Sequence, residues 1–152
     1  MTGCGPLARE KTLMTFDAHD LGDTAAFAAR VAMKVQPGDV LALEGELGAG
    51  KTTFVRALVE SLGGAANAVS SPTFMLLNVY ATPRMPIFHL DAYRVGGADD
   101  FEAIGFDELL AQRGLVIVEW ASRVRELLPA ALMEIVIEAT GETSRRFTLR
   151  SS

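Results

Sequence analysis

The stretch "VLALEGELGAGKTTF", Val40 to Phe54, decides the fold. Its first half is a continuous apolar run of strand length, the pattern of a strand covered on both faces. Its second half has glycines at 45, 48 and 50, then Lys51, Thr52 and Thr53. Beyond it, Phe54, Val55, Leu58, Val59 and Leu62 recur at helical spacing until Gly63 and Gly64, where glycine suits a helix end. Strand, glycine loop and helix are therefore consecutive. Gly45, Gly50, Lys51 and Thr52 satisfy G-x-x-x-x-G-K-[ST] in the one context that gives the pattern meaning.

The physical reason is direct. Glycines let the main chain approach a ligand closely, so that successive N–H groups point into one concavity and wrap phosphate oxygens. The Lys51 ammonium reaches the outer phosphates, the Thr52 hydroxyl ligates Mg²⁺, and the helix contributes its positive end. The loop from Gly45 through Leu47, Gly48, Ala49, Gly50, Lys51, Thr52 and Thr53 is thus expected to bind a nucleotide. Phe54 and Val55, by their spacing, belong to the core.

Outward from this stretch, "TLMTF" reads as a strand and 23–35 as a helix that Asp20 or Asp23 can cap. Downstream, Phe74 to Tyr80 and "MPIFHLDAYR" read as strands joined by "ATPRMP". "DDFEAIGFDELLAQ" is helical in two pieces around Gly105, and "GLVIVEW" is a second wholly apolar strand ending in an acid. "ALMEIVIEAT" and "RRFTLR" alternate around "TGET", a closing antiparallel hairpin. The pattern predicts one α/β domain over 12–150: a P-loop NTPase-like sandwich with a mixed, largely parallel sheet flanked by helices. Residues 1–11 read as a frayed terminus.

Composition narrows the function. With 152 residues, one core is expected. No apolar run approaches the roughly 18 residues of a membrane span, and no secretory signal opens the chain, so a cytoplasmic, soluble protein is expected. Cys4 stands alone, without partners for a disulfide or metal site. A net charge of −5 opposes broad binding to a phosphate backbone, and Arg123, Arg125, Arg145, Arg146 and Arg150 read as a dispersed solvated face. Contact with nucleic acid is expected only indirectly.

A P-loop needs a carboxylate at a neighbouring strand end for the magnesium. Asp91 in "IFHLDAYR" and Glu119 in "LVIVEW" both qualify. The strand before Glu119 is unbroken, whereas His89 interrupts the one before Asp91, so pattern favours Glu119 for the metal and leaves Asp91 to position the attacking water. Either acid is also placed to cap the element that follows. His89 reads as a satisfied core residue rather than a base. Trp120 reads as packing beside the nucleotide, and Thr73 as either a turn residue or a hydroxyl facing the γ-phosphate.

"GELGAGKTTF", "SSPTF", "HLDAYR" and "VEW", in that order, resemble the bacterial TsaE family of tRNA threonylcarbamoyladenosine biosynthesis ATPases. The resemblance implies ATP hydrolysis with Mg²⁺ in the service of TsaD and TsaB type proteins, which modify adenosine 37 of tRNAs reading codons that begin with A. It implies that Lys51 and Thr52 are the nucleotide lysine and magnesium threonine, that Glu119 is the metal-associated acid, and that Asp91 and Thr73 are hydrolysis and switch residues. It also places Thr24 near the base and Ser122 at a nucleotide contact. Ala121 stands where many relatives have proline. Two other readings of the P-loop stay open: a small-molecule kinase, and a nucleotide-sensing subunit that does not hydrolyse. No N-K-x-D segment is present to read guanine.

Overall fold

The computed structural model describes residues 11–46, 50–65, 67, 77–92 and 105–151. Its elements are β1 (Lys11–Ala18), α1 (Leu21–Ala32), β2 (Val40–Glu44), α2 (Lys51–Ser61), β3 (Leu77–Tyr80), β4 (Ile87–Asp91), α3 (Phe106–Ala111), β5 (Leu115–Glu119), a 3-10 segment (Ala121–Leu127), β6 (Met133–Ala139) and β7 (Arg145–Ser151). The expected strand start at 74–76 and the first piece of the 99–112 helix, at 99–104, lie outside the described residues. So do residues 1–10; Lys11 already belongs to β1.

The strands form one seven-stranded sheet in the order β1-β7-β6-β2-β5-β4-β3. At its centre β6, β2, β5 and β4 are mutually parallel. The antiparallel pairs β3–β4, β6–β7 and β1–β7 complete it on either side. The expected mixed sheet with a C-terminal hairpin is what forms; that β1 adds to β7 at the far edge was not written in any local pattern.

The unbroken apolar strands are explained by their surroundings. Leu41, Leu43, Ile87, Leu115, Ile117 and Ile135 pack on one face with α1 and α2, while Val40, Ala42, Phe88, Leu90, Val116 and Val118 pack on the other with α3 and the 3-10 segment. A strand between two layers buries odd and even positions alike, so alternation disappears. Phe27, Phe54 and Phe147 meet in the first layer, Phe27 stacked on Phe147 with ring centroids 4.7 Å apart. Each such ring pair adds about 1 kcal/mol to the burial of its area.

Local chemistry fixes where helices start. Asp20 caps α1 by accepting from the Asp23 N–H at 2.8 Å, and Asp23 reaches back to the His19 N–H at 2.9 Å. Both acids read as candidate caps are thus used, in a reciprocal arrangement that satisfies two otherwise orphaned donors. At the other end of α1, the Arg84 guanidinium donates to the carbonyls of Ala32 at 2.7 Å and Val35 at 3.1 Å. A cation there also answers the negative end of the helix.

Candidate functional site

The parallel strands β2, β4 and β5 all end in a carboxylate, Glu44, Asp91 and Glu119 respectively. In an open α/β sheet this carboxyl edge is where ligands bind. The register brings the acids together: Glu119 lies opposite Leu43 on one side and opposite Asp91 on the other. Two acids that are 28 residues apart in sequence become neighbours on adjacent strands.

Lys51 enters this edge as the first residue of α2. Gly50 before it has φ of +105°, a conformation that side-chain-bearing residues rarely adopt, which is why glycine is needed at the turn into the helix. Lys51 is only 6% exposed. Its ammonium donates to the Gly45 carbonyl and lies 4.1 Å from the centre of the Trp120 ring. Trp120 presents that ring from a left-handed backbone conformation, φ +58°, anchored by its N–H to the Leu43 carbonyl at 3.2 Å.

Burial lowers the Lys51 pKa below its usual value, and the charges of Glu119, Glu44 and Asp91 partly restore it. Burial likewise raises the Glu44 carboxyl, against the Ser122 N–H, which donates to it at 2.7 Å. One buried cation facing three carboxylates is an arrangement that a polyanion with a divalent cation would complete, each phosphate charge meeting the ammonium and the metal meeting the acids.

Glu119, 4% exposed, is held from behind by His89, which is fully buried and whose Nε2 lies against Glu119 Oε2. The other ring nitrogen, Nδ1, is 3.2 Å from the Tyr80 hydroxyl, and Asn78 donates to that hydroxyl at 3.3 Å. The expected satisfied core histidine is therefore found, with the metal-assigned acid as its partner. This link was invisible in sequence, because the two residues are 30 positions apart and only the β4–β5 register joins them.

Beside the lysine, a half-open cavity of about 430 Å³ is lined by His19, Asp20, Thr24, Gly50, Thr53 and Arg145, among others. Thr24 and Thr53, assigned from sequence to the nucleotide, thus share one cavity with the loop's last glycine. His19 and Arg145 had no sequence signal, since β7 reaches α1 only through the sheet order. Arg145 is held by the carbonyls of Ser144 at 2.9 Å and Gly141 at 3.1 Å in the closing hairpin. Of the other arginines, Arg146 pairs with Asp17 at 2.8 Å, and Arg125 and Arg150 approach Glu134 at 3.3 and 3.8 Å. Ser122 is exposed, and its main-chain N–H donates to Glu44. Thr73, Leu47, Gly48 and Ala49 lie outside the described residues.

Among the described residues no group of three or more His, Cys, Asp or Glu is disposed to hold a metal ion.

Sandwich, strand-end acids and lysine-bearing helix start together define an α/β protein of the P-loop NTPase class. The family model for "Threonylcarbamoyl adenosine biosynthesis protein TsaE" matches residues 18–147. This chain therefore belongs to the TsaE family. It is 42% identical over 126 residues to the tRNA threonylcarbamoyladenosine biosynthesis protein TsaE of Bacillus subtilis, a match covering 83% of this chain and 78% of the relative. The corresponding protein of Streptomyces coelicolor is 40% identical over 119 residues, covering 76% and 79%. The crystal structure of Bacillus subtilis YdiB superposes with a TM-score of 0.75 at 33% identity, over 93% of this chain and 86% of that one. The family role is in the biosynthesis of the threonylcarbamoyladenosine of tRNA. No helix among the described residues is long and apolar enough to cross a membrane.

Proposed function

We propose that this chain is a cytoplasmic, Mg²⁺-dependent ATPase that serves the threonylcarbamoyl modification of tRNA adenosine 37 through nucleotide-dependent contact with TsaD and TsaB type proteins. The observation that carries the reading is the buried Lys51 ammonium at the start of α2, facing the strand-end acids Glu44, Asp91 and Glu119. The ammonium and the three acids gather opposite charges at one strand edge, and a triphosphate bearing a divalent cation would meet both, the phosphates at Lys51 and the metal at the acids.

In this reading Lys51 leaves the Gly45 carbonyl and the Trp120 face to bind the outer phosphates. Thr52 and Glu119 would hold the magnesium, which when bound would neutralise phosphate charge. Asp91, next to Glu119 in the register, orients the attacking water. Alignment and charge compensation are most of what phosphoryl transfer requires. The cavity lined by Thr24 and Thr53 would take the base. Thr73, which the sequence resemblance assigns as a switch residue, would respond to the γ-phosphate and so couple hydrolysis to partner affinity. The net charge of −5 fits a division of labour in which the partners hold the tRNA.

The test is calorimetry with ATP and magnesium, followed by phosphate release with and without TsaD and TsaB type partners. Binding with partner-stimulated hydrolysis supports the reading. Absence of ATP binding refutes it, phosphate transfer to a metabolite would make the protein a kinase, and binding without turnover in any mixture would make it a sensor.

A further inference from the structure

Asn78 and Tyr80 of β3, His89 and Asp91 of β4, and Glu119 of β5 share one face of the sheet, the face that carries α2. The register puts Asn78 opposite His89, His89 opposite Ile117, and Asp91 opposite Glu119, so alternate positions on three adjacent strands line up toward the strand ends. The polar contacts run in a single file: Asn78 to Tyr80 at 3.3 Å, Tyr80 to His89 Nδ1 at 3.2 Å, and His89 Nε2 to Glu119 Oε2.

The direction of the file follows from what each group can donate. A carboxylate only accepts, so His89 Nε2 carries the hydrogen that faces Glu119. In a neutral ring Nδ1 is then an acceptor, and the Tyr80 hydroxyl, which receives from Asn78, gives its own hydrogen to Nδ1. Every bond in the file is satisfied in that one sense and ends on the acid. Burying a histidine and a glutamate side by side gains little stability over an apolar pair of the same shape. What it does achieve is a carboxylate with one oxygen tied and its plane fixed.

We propose that His89 is a positioning residue for magnesium: it ties Glu119 Oε2 and fixes the carboxylate, leaving the other oxygen for the metal that Glu119 would hold, while Tyr80 and Asn78 hold the orientation of the ring. This rests on the nucleotide–magnesium reading above. Such outer partners of a metal-associated group typically govern metal affinity by about 10- to 100-fold.

The experiment compares ATP affinity with and without magnesium, by calorimetry, in the full-length wild type and in His89→Leu, His89→Gln and Tyr80→Phe. The quantity read is the gain in affinity that magnesium confers. Expected are a loss of about tenfold or more of this gain in His89→Leu, recovery to within about threefold of wild type in His89→Gln, whose amide keeps an N–H toward Glu119, and a smaller loss in Tyr80→Phe. Affinity without magnesium stays near wild type in all three. The chain has two histidines, so ¹⁵N spectra also read the His89 tautomer directly, as Nε2–H; a ring protonated at Nδ1 alone would reverse the file and overturn the proposal.

A purely structural pair would lower thermal stability but leave the magnesium gain intact, and that result overturns the proposal. So does a His89→Gln variant as defective as His89→Leu. Should His89→Leu not fold, an unchanged magnesium gain in Tyr80→Phe overturns it as well. If magnesium gives wild type no gain at all, the metal reading falls and this proposal with it; a wild-type gain that survives in His89→Leu overturns this proposal alone.

Discussion

Lys51→Met should do two opposite things, lowering nucleotide affinity and raising the stability of the fold. Lys51 is 6% exposed, and burial is the largest influence on its pKa, which it lowers. Methionine keeps most of the apolar stem and its contact with Trp120 but removes the desolvated charge. Against that relief stand the lost bond to Gly45 and the lost contact of charge with ring, worth about 1 kcal/mol together in a partly wet site. A net gain of about 1 kcal/mol is typical when a functional site is relieved of such a group, which corresponds to about 3 °C in a chain of this size. The sign with pH follows from the lowered pKa. The penalty is whole while folded and unfolded chains both carry the proton. It fades as pH rises from the folded-state pKa toward the ordinary 10.5, where the unfolded lysine also loses its charge. The stability advantage of Lys51→Met should therefore be full near neutrality and shrink in alkali. ATP affinity should meanwhile fall by about 10- to 150-fold, the loss of a charge-assisted contact of about 1.5–3 kcal/mol. Calorimetric melts across pH, with ATP titrations of the same samples, read both effects. A variant that melts several degrees lower, or that binds ATP undiminished, would refute the reasoning.

Four further outcomes are expected. Gly114→Ala should lower the melting temperature by about 5–10 °C, because a Cβ there would sit 2.5 Å from the Pro86 carbonyl and 2.7 Å from the Phe88 ring, an overlap worth about 2–3 kcal/mol. Arg84→Met should cost about 1.5 kcal/mol in denaturant unfolding, since it strips two carbonyls at the end of α1 of their donor. Trp120 is the chain's one tryptophan, so ATP with magnesium should change its emission as Lys51 leaves the ring, and Lys51→Met should abolish the change. Thr24→Phe, which projects into the cavity beside Gly50, should weaken ATP by more than about tenfold, about 1.4 kcal/mol; affinity for inorganic triphosphate should be unchanged.

The sequence by itself determined the features whose causes are local. The strand Val40–Glu44 and the helix Lys51–Ser61 on either side of the glycines were legible because phosphate chemistry imposes residue types at fixed short spacing. The doubly buried strands at Val40 and Leu115 were legible because burial on both faces removes alternation, and Asp20 and Asp23 because a cap acts within one turn. Tertiary structure alone decided the rest: that His89 meets Glu119, that Arg84 closes a helix some 50 residues earlier, and that His19 and Arg145 share a cavity with Thr24. Each of these depends on which strands become neighbours and in what register. That choice is made by the summed burial of the whole sheet, which no short stretch of residues encodes.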